Sequence, residues 1–174
     1  MGRMDPMQEI RTRPMSSTEF EGFRVGLVRD YAAEHVAAGN WTAEEAEGRA
    51  SDDADALLPE GVDTPGVLLL VAETPGGEVV GHLWVSLERH VGRRDGAWIY
   101  DIEIVPEHRG QGFGRALLTA AEHEVATRGI GSIGLNVFSA NSVARRLYES
   151  AGYDITTMQL KKGLSSGGGT IHSH

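Results

Sequence analysis

The stretch from Tyr100 to Leu118 constrains this chain more than any other part of it. Alternating residues up to Val105 read as a strand, Pro106 closes it, and a glycine-rich helix start follows directly. Phe113, Leu117, Leu118, Ala121 and Val125 then mark one face of an amphipathic helix ending near Gly129. Gly110, Gly112 and Gly114 stand at alternate positions where that helix begins. No side chain covers its first turn, so N–H groups that lack a partner inside any helix face outward, with the positive end of the helix dipole behind them. Such a start is an anion site suited to a pyrophosphate, and Arg109 and Arg115 would add charge at its edges. A Walker A loop would need Gly-Lys-Ser/Thr here, and a dinucleotide fingerprint would need G-x-G-x-x-G; the chain has G-x-G-x-G. The alternative is that the glycines serve only close helix–sheet packing.

Around this segment the elements alternate. Residues 8–13 read as a first strand, closed by Pro14. Ser16 and Glu19 form a capping box that opens a helix to about Ala38, with Phe20, Phe23, Leu27 and Tyr31 along one stripe. Thr42 and Glu45 repeat the box and open a second helix to about Leu58, stopped by Pro59. Strands are expected at 67–72 and 79–87, joined through the turn at Pro75, Gly76 and Gly77, and at 97–105 after a turn at 93–96. A strand at 132–137, a helix at 141–151 and a last strand at 156–161 complete the order β-α-α-β-β-β-α-β-α-β. This is an α/β (α+β) fold: a mixed, mostly antiparallel sheet of about six to seven strands with helices on both faces. At 174 residues the chain fits one domain, placed at 1–162, with a Gly/Ser/His-rich tail at 163–174 outside the fold.

Residues 109–114 resemble the pyrophosphate signature Arg/Gln-x-x-Gly-x-Gly/Ala of the general N-acetyltransferase (GNAT) superfamily, preceded by its strand ending in Val/Ile-x-Pro. A second GNAT-like element spans Leu135 to Tyr153, so the resemblance covers roughly 98–154. It implies an N-acetyltransferase using acetyl-CoA as cosubstrate, with a primary amine on a small molecule or peptide as acceptor. The backbone of Ile104 and Val105 would pair with the pantetheine arm, and an amide there would polarise the thioester carbonyl as an oxyanion hole does. The backbone of Gly110, Gln111, Gly112, Phe113, Gly114 and Arg115 would hold the pyrophosphate. Asn141 is an N-cap by its position, and by resemblance a ligand of the pantetheine arm as well. Tyr148 lies on the face of Ala144, Leu147 and Ala151. It is either a core tyrosine or, as the resemblance implies, the acid that protonates the departing thiolate.

The base is the point of departure. Some GNAT enzymes carry a glutamate where this chain has Asn136, which accepts no proton at neutral pH. Glu103 is therefore the favoured base, acting through water, with Asp101 on the same strand face as the lesser candidate. With no cysteine and no G-x-S-x-G elbow, direct transfer in a ternary complex is expected. The histidines, among them His82, His90 and His108, show no ligand spacing, and no metal is expected. The rival reading is a non-catalytic acetyl-CoA-binding sensor or scaffold.

A net charge of −9 argues against binding nucleic acid or anionic membrane. Eight of the acids lie between Trp41 and Asp63, either to attract a cationic acceptor or as a solvated helix face. No signal-peptide pattern and no bilayer-length apolar run occur, so a cytoplasmic location is expected, and a homodimer is among the states the resemblance allows.

Overall fold

The computed structural model describes residues 8–88 and 96–164. The expected turn at 93–96 (in part), His90 and the tail beyond residue 164 lie outside these residues. Strand β1 (Arg11–Pro14) leads into helices α1 (Ser17–Ala37) and α2 (Ala43–Leu57). Strands β2 (Val67–Glu73), β3 (Val79–Ser86) and β4 (Ala97–Ile104) follow, then α3 (Phe113–Ala126), β5 (Ile133–Leu135) and α4 (Ser142–Ser150).

The capping box opening α1 forms as expected: the Glu19 N–H donates to Ser16 Oγ at 3.2 Å, and the Ser16 N–H donates to Glu19 Oε2 at 2.9 Å. Arg13 ties this corner to the sheet through Glu19 Oε1 at 2.7 Å and Glu73 Oε1 at 2.7 Å. Pro14 pairs opposite Leu70 without disturbing the ladder because β1 is an edge strand.

The sheet runs in the order β1-β2-β3-β4-β5, antiparallel throughout except for the parallel β4–β5 pair. Strand alternation divides it into two packed faces. Leu70, Ala72, Val80, Leu83, Val85, Ala97 and Ile99 are buried against Phe113, Leu117, Leu118, Ala121 and Val125 of α3. On the other face Leu69, Val71 and Trp84 pack against Phe23 and Leu27 of α1. Helix α2 docks onto α1 rather than onto the sheet: Ala46, Ala50 and Ala54, spaced four apart, lie against Val28 and Ala32.

Two expectations are corrected. The last strand, expected at 156–161, does not form, and the sheet has five strands rather than six to seven. Ile155, Met158 and Leu160 are 64%, 66% and 85% exposed, so the apolar pattern that suggested a strand has no face to bury against. The fifth strand is also half its expected length. It pairs with β4 only from Ala97↔Ile133 to Ile99↔Leu135, after which the two strands part.

Candidate active site

The parting of β4 and β5 makes the site. Strand β3 follows β4 to Ile104, but the β5 ladder stops at Ile99, so residues 101–104 face a gap in the sheet on that side. The Val105 N–H donates to Val80 O at 3.0 Å, which fixes the alternation: Val105 points its N–H at β3, and Ile104 points its backbone groups into the gap. The Ile104 carbonyl there accepts from Arg109 Nε at 2.9 Å.

The glycine-rich start of α3 closes one end of this gap. Gly110 and Gly112 have φ of +71° and +91°, the left-handed region that side chains disfavour, and Gly112 is the N-cap without any side-chain cap. A Cβ on Gly110 would meet nothing within 4 Å, so the turn lies open. A Cβ on Gly114 would touch Leu147 at 3.5 Å and Ile104 at 3.9 Å, which locates the meeting of α3, α4 and β4. The Phe113 side chain is buried in the core, leaving only its backbone to the outer surface. Of the flanking side chains, Gln111 donates to Glu107 O at 2.9 Å and Arg115 to Ser150 Oγ at 2.5 Å. Arg109 turns back onto β4, where Nη2 reaches Glu103 Oε1 at 3.0 Å.

Helix α4 brings the second motif. Asn141 caps it, its side chain accepting from the Ala144 N–H at 3.1 Å. Tyr148 packs against the α3 face of the core and tilts against Tyr153 at 5.7 Å. Burial, with a smaller contribution from the Asp101 charge, pushes the Tyr148 hydroxyl up to about 12. Asn136 lies just past β5 and is exposed.

On the other side of β4 lies a cavity of about 140 Å³ between the sheet and α1. Asp30, Glu34, Asp101 and Glu103 line it, with Arg29 and His82. Glu34 is pushed above the ordinary carboxylate range, by burial first and then by the neighbouring charges of Asp101, Asp30 and Glu103. His82 stands directly opposite Glu103 across the β3–β4 ladder. Its Nε2 is 2.8 Å from Asp101 Oδ2 and 3.5 Å from Glu103 Oε2. The three offer ligand atoms within 4.8 Å of one another, a separation one cation could bridge. Their charges already answer one another, and Arg109 occupies an oxygen of Glu103, so the arrangement is an ion-pair cluster.

A family model, the Acetyltransferase (GNAT) family, matches residues 30–153. The chain belongs to the GNAT family. The uncharacterized N-acetyltransferase YycN of Bacillus subtilis is 32% identical over 155 residues, covering 89% of this chain and 99% of that protein. Its crystal structure superposes with a TM-score of 0.84 over 90% of this chain and 99% of that one. Mycothiol acetyltransferase of Kytococcus sedentarius is 31% identical over 132 residues, 75% of this chain and 40% of the relative. AAC(6')-Iy, solved in complex with the bisubstrate analog CoA-S-monomethyl-acetylneamine, shares the fold at a TM-score of 0.59 and 15% identity, over 90% of this chain and 99% of that one.

As a member of this family the chain is an acyltransferase, and the GNAT arrangement explains what the sequence showed and what it hid. Gly110 and Gly112 form the turn into α3, and Asn141 caps α4, as their spacing predicts. His82, Asp30 and Glu34, which line the cavity, were not among the expected site residues. Asp30 and Glu34 border the α1 stripe of Phe23, Leu27 and Tyr31, a signal that was available. The acids of 41–63 do not line the cavity; Asp55, for one, pairs with Arg24 of α1 at 2.6 Å. Among the described residues no helix is long and apolar enough to cross a membrane.

Proposed function

We propose that this protein transfers the acetyl group of acetyl-CoA to a primary amine by direct attack in a ternary complex. The observation that carries the reading is the open, glycine-lined start of α3 beside the gap in the sheet. The outward N–H groups of residues 110–115 would take the pyrophosphate. The pantetheine arm would lie along β4 beside Ile104, since Val105, expected to share that role, spends its N–H on Val80; the Ile104 N–H would polarise the thioester carbonyl, where charge develops during attack. Arg109 would release the Ile104 carbonyl to admit the arm. Glu103, acting through water, would take the proton of the incoming ammonium, and Tyr148 would protonate the departing thiolate.

The acceptor in this reading is a cationic amine. Four carboxylates line the cavity against one arginine and one histidine, and Glu34, pushed up by burial and by the neighbouring acids, is the one a cation would most relieve. The fold shared with AAC(6')-Iy, whose bisubstrate analog carries CoA, supports the cosubstrate.

Calorimetric titration with acetyl-CoA tests the reading. Wild type should bind; Gly112→Asp and Gly114→Asp, which put a negative charge on the pyrophosphate site, should lose binding while remaining folded by circular dichroism. A folded wild type that does not bind would sink the reading. A wild type that binds, yet releases no CoA across an amine panel, would leave the sensor role instead.

A further inference from the structure

We propose that His82 is a positioning residue for acetyl transfer: it receives from Glu103 the proton that the acceptor ammonium gives up, and Asp101 holds the imidazolium that results. This rests on the reading of Glu103 as base.

The geometry is built for such a hand-over. Glu103 divides its two oxygens, Oε1 to Arg109 at 3.0 Å and Oε2 toward His82 at 3.5 Å, so the oxygen free of the arginine faces the imidazole. The same ring nitrogen, His82 Nε2, is 2.8 Å from Asp101 Oδ2. That oxygen is buried, and no well-aligned hydrogen bond reaches it from the described residues, so the ion contact with His82 is its compensation. The His82 ring is fixed edge-on against Phe23, with centroids 5.0 Å apart, and its side chain is 25% exposed at the cavity wall. Both carboxylates address Nε2, so the neutral ring that accepts carries its proton on Nδ1: the proton arrives at Nε2 from Glu103, and the N–H so formed donates to Asp101 in a ring held still at the cavity wall.

The chemistry needs a relay as well. An alkylammonium titrates near ~10 and a carboxylic acid near ~4, so a proton resting on a carboxylate returns readily; an imidazole, near ~6.5, is the better resting place. The protons balance. The ammonium loses one to Glu103 through water and on to His82, the neutral amine attacks, and the C–N bond forms as the C–S bond breaks. The thiolate takes a proton from Tyr148, whose phenolate is restored by the second proton leaving nitrogen. His82 then releases its proton to solvent.

The groups facing His82 set when it can accept. Asp101 and Glu103 lie beside it on β4, Asp30, Glu34 and Arg29 of α1 line the same cavity, and Arg109 reaches it through Glu103. Burial alone would lower the imidazole, but Asp101, Glu103 and Asp30 outweigh it, and the group is held above its ordinary value of 6.5. Turnover needs neutral His82, so kcat should rise with pH through a midpoint above 6.5.

The test is the pH profile of kcat at saturating acetyl-CoA and amine, measured with two acceptors whose amines differ in basicity. The expected midpoint is the same for both, shifts to lower pH in Asp101→Asn, and vanishes as a limb in His82→Asn, with kcat at high pH down about tenfold and acetyl-CoA affinity unchanged. Rescue by His82→Gln is not expected, since the amide takes no proton. A His82→Asn profile parallel to wild type, a midpoint that follows the acceptor, or an Asp101→Asn midpoint that stays or moves up would each overturn the proposal. Glu103→Gln separates the two readings. Loss of turnover there with an unchanged His82→Asn profile rejects only the relay, whereas full activity in Glu103→Gln rejects the base on which it rests.

Discussion

The Tyr148 ring packs on the α3 face of the core, and the burial that holds it there also pushes its hydroxyl up to about 12. A raised phenol stays protonated across the working range, as the proposed acid must. If Tyr148 is the acid proposed above, the alkaline loss of its function moves from near 10 to about 12, and kcat should show no descending limb up to about pH 10.5. Tyr148→Phe keeps the packing and removes the proton. It should lower kcat about 10²- to 10³-fold with acetyl-CoA affinity within twofold of wild type, as read by steady-state kinetics and calorimetry. The helical spacing of Tyr148 was legible in the sequence. The shift was not, because it depends on the layers that α4 packs against and on Asp101 across the gap.

At the scale of elements, β3 and β4 are pressed together beside the proposed base. A Cβ at Gly81 would collide with the Glu103 backbone oxygen and come within 2.9 Å of Ile104 Cδ1. Backbone cannot give way as a flexible side chain can, so Gly81→Ala should cost about 2–3 kcal/mol and lower Tm by about 5–10 °C, with activity falling as Glu103 is displaced. Calorimetric melting and turnover would check both. The start of α1 makes a separate prediction. Arg13, then the Ser16 N–H, hold the Glu19 carboxyl down to about 2, against an ordinary 4.5. A lowered carboxyl contributes stability that is fully present above 4.5 and is lost as pH falls through about 2. Tm should decline over that window, and Glu19→Gln should remove part of the decline. The Ser16–Glu19 box was readable from spacing alone. The bracing by Arg13 and Glu73 was not, since Glu73 is 60 residues from Arg13 in the chain.

Across the whole molecule, a net charge of −9 and an acid-lined cavity would act together on the amine acceptor of the proposed function. Their field is screened over ~10 Å at 0.1 M salt. KM for a dicationic acceptor should rise several-fold between about 0.05 and 0.5 M salt, while KM for a singly charged acceptor rises less. Equal responses in initial-rate assays would remove the field from the account of acceptor choice. The same charge was visible in composition, where the acids of 41–63 could be read either as attracting a cationic acceptor or as a solvated helix face. The fold turns the small-residue stripe of α2 to α1 and leaves the acids of that helix off the cavity wall; Asp30 and Glu34 of α1 stand there instead.

The sequence by itself determined what local backbone physics controls. The glycine turn before α3 requires φ of +71° and +91°, the caps at Ser16 and Asn141 need only neighbours three residues away, and the helix stripes repeat at short range. Tertiary structure decided where residues from different strands meet. His82 faces Glu103 because of the β3–β4 register, and the gap exists because β5 leaves β4 after Ile99. The apolar alternation of 156–161 stays outside the sheet because a strand needs a partner edge as well as a pattern. Register and splay are collective outcomes of packing both faces of the sheet, and no spacing along one chain encodes them.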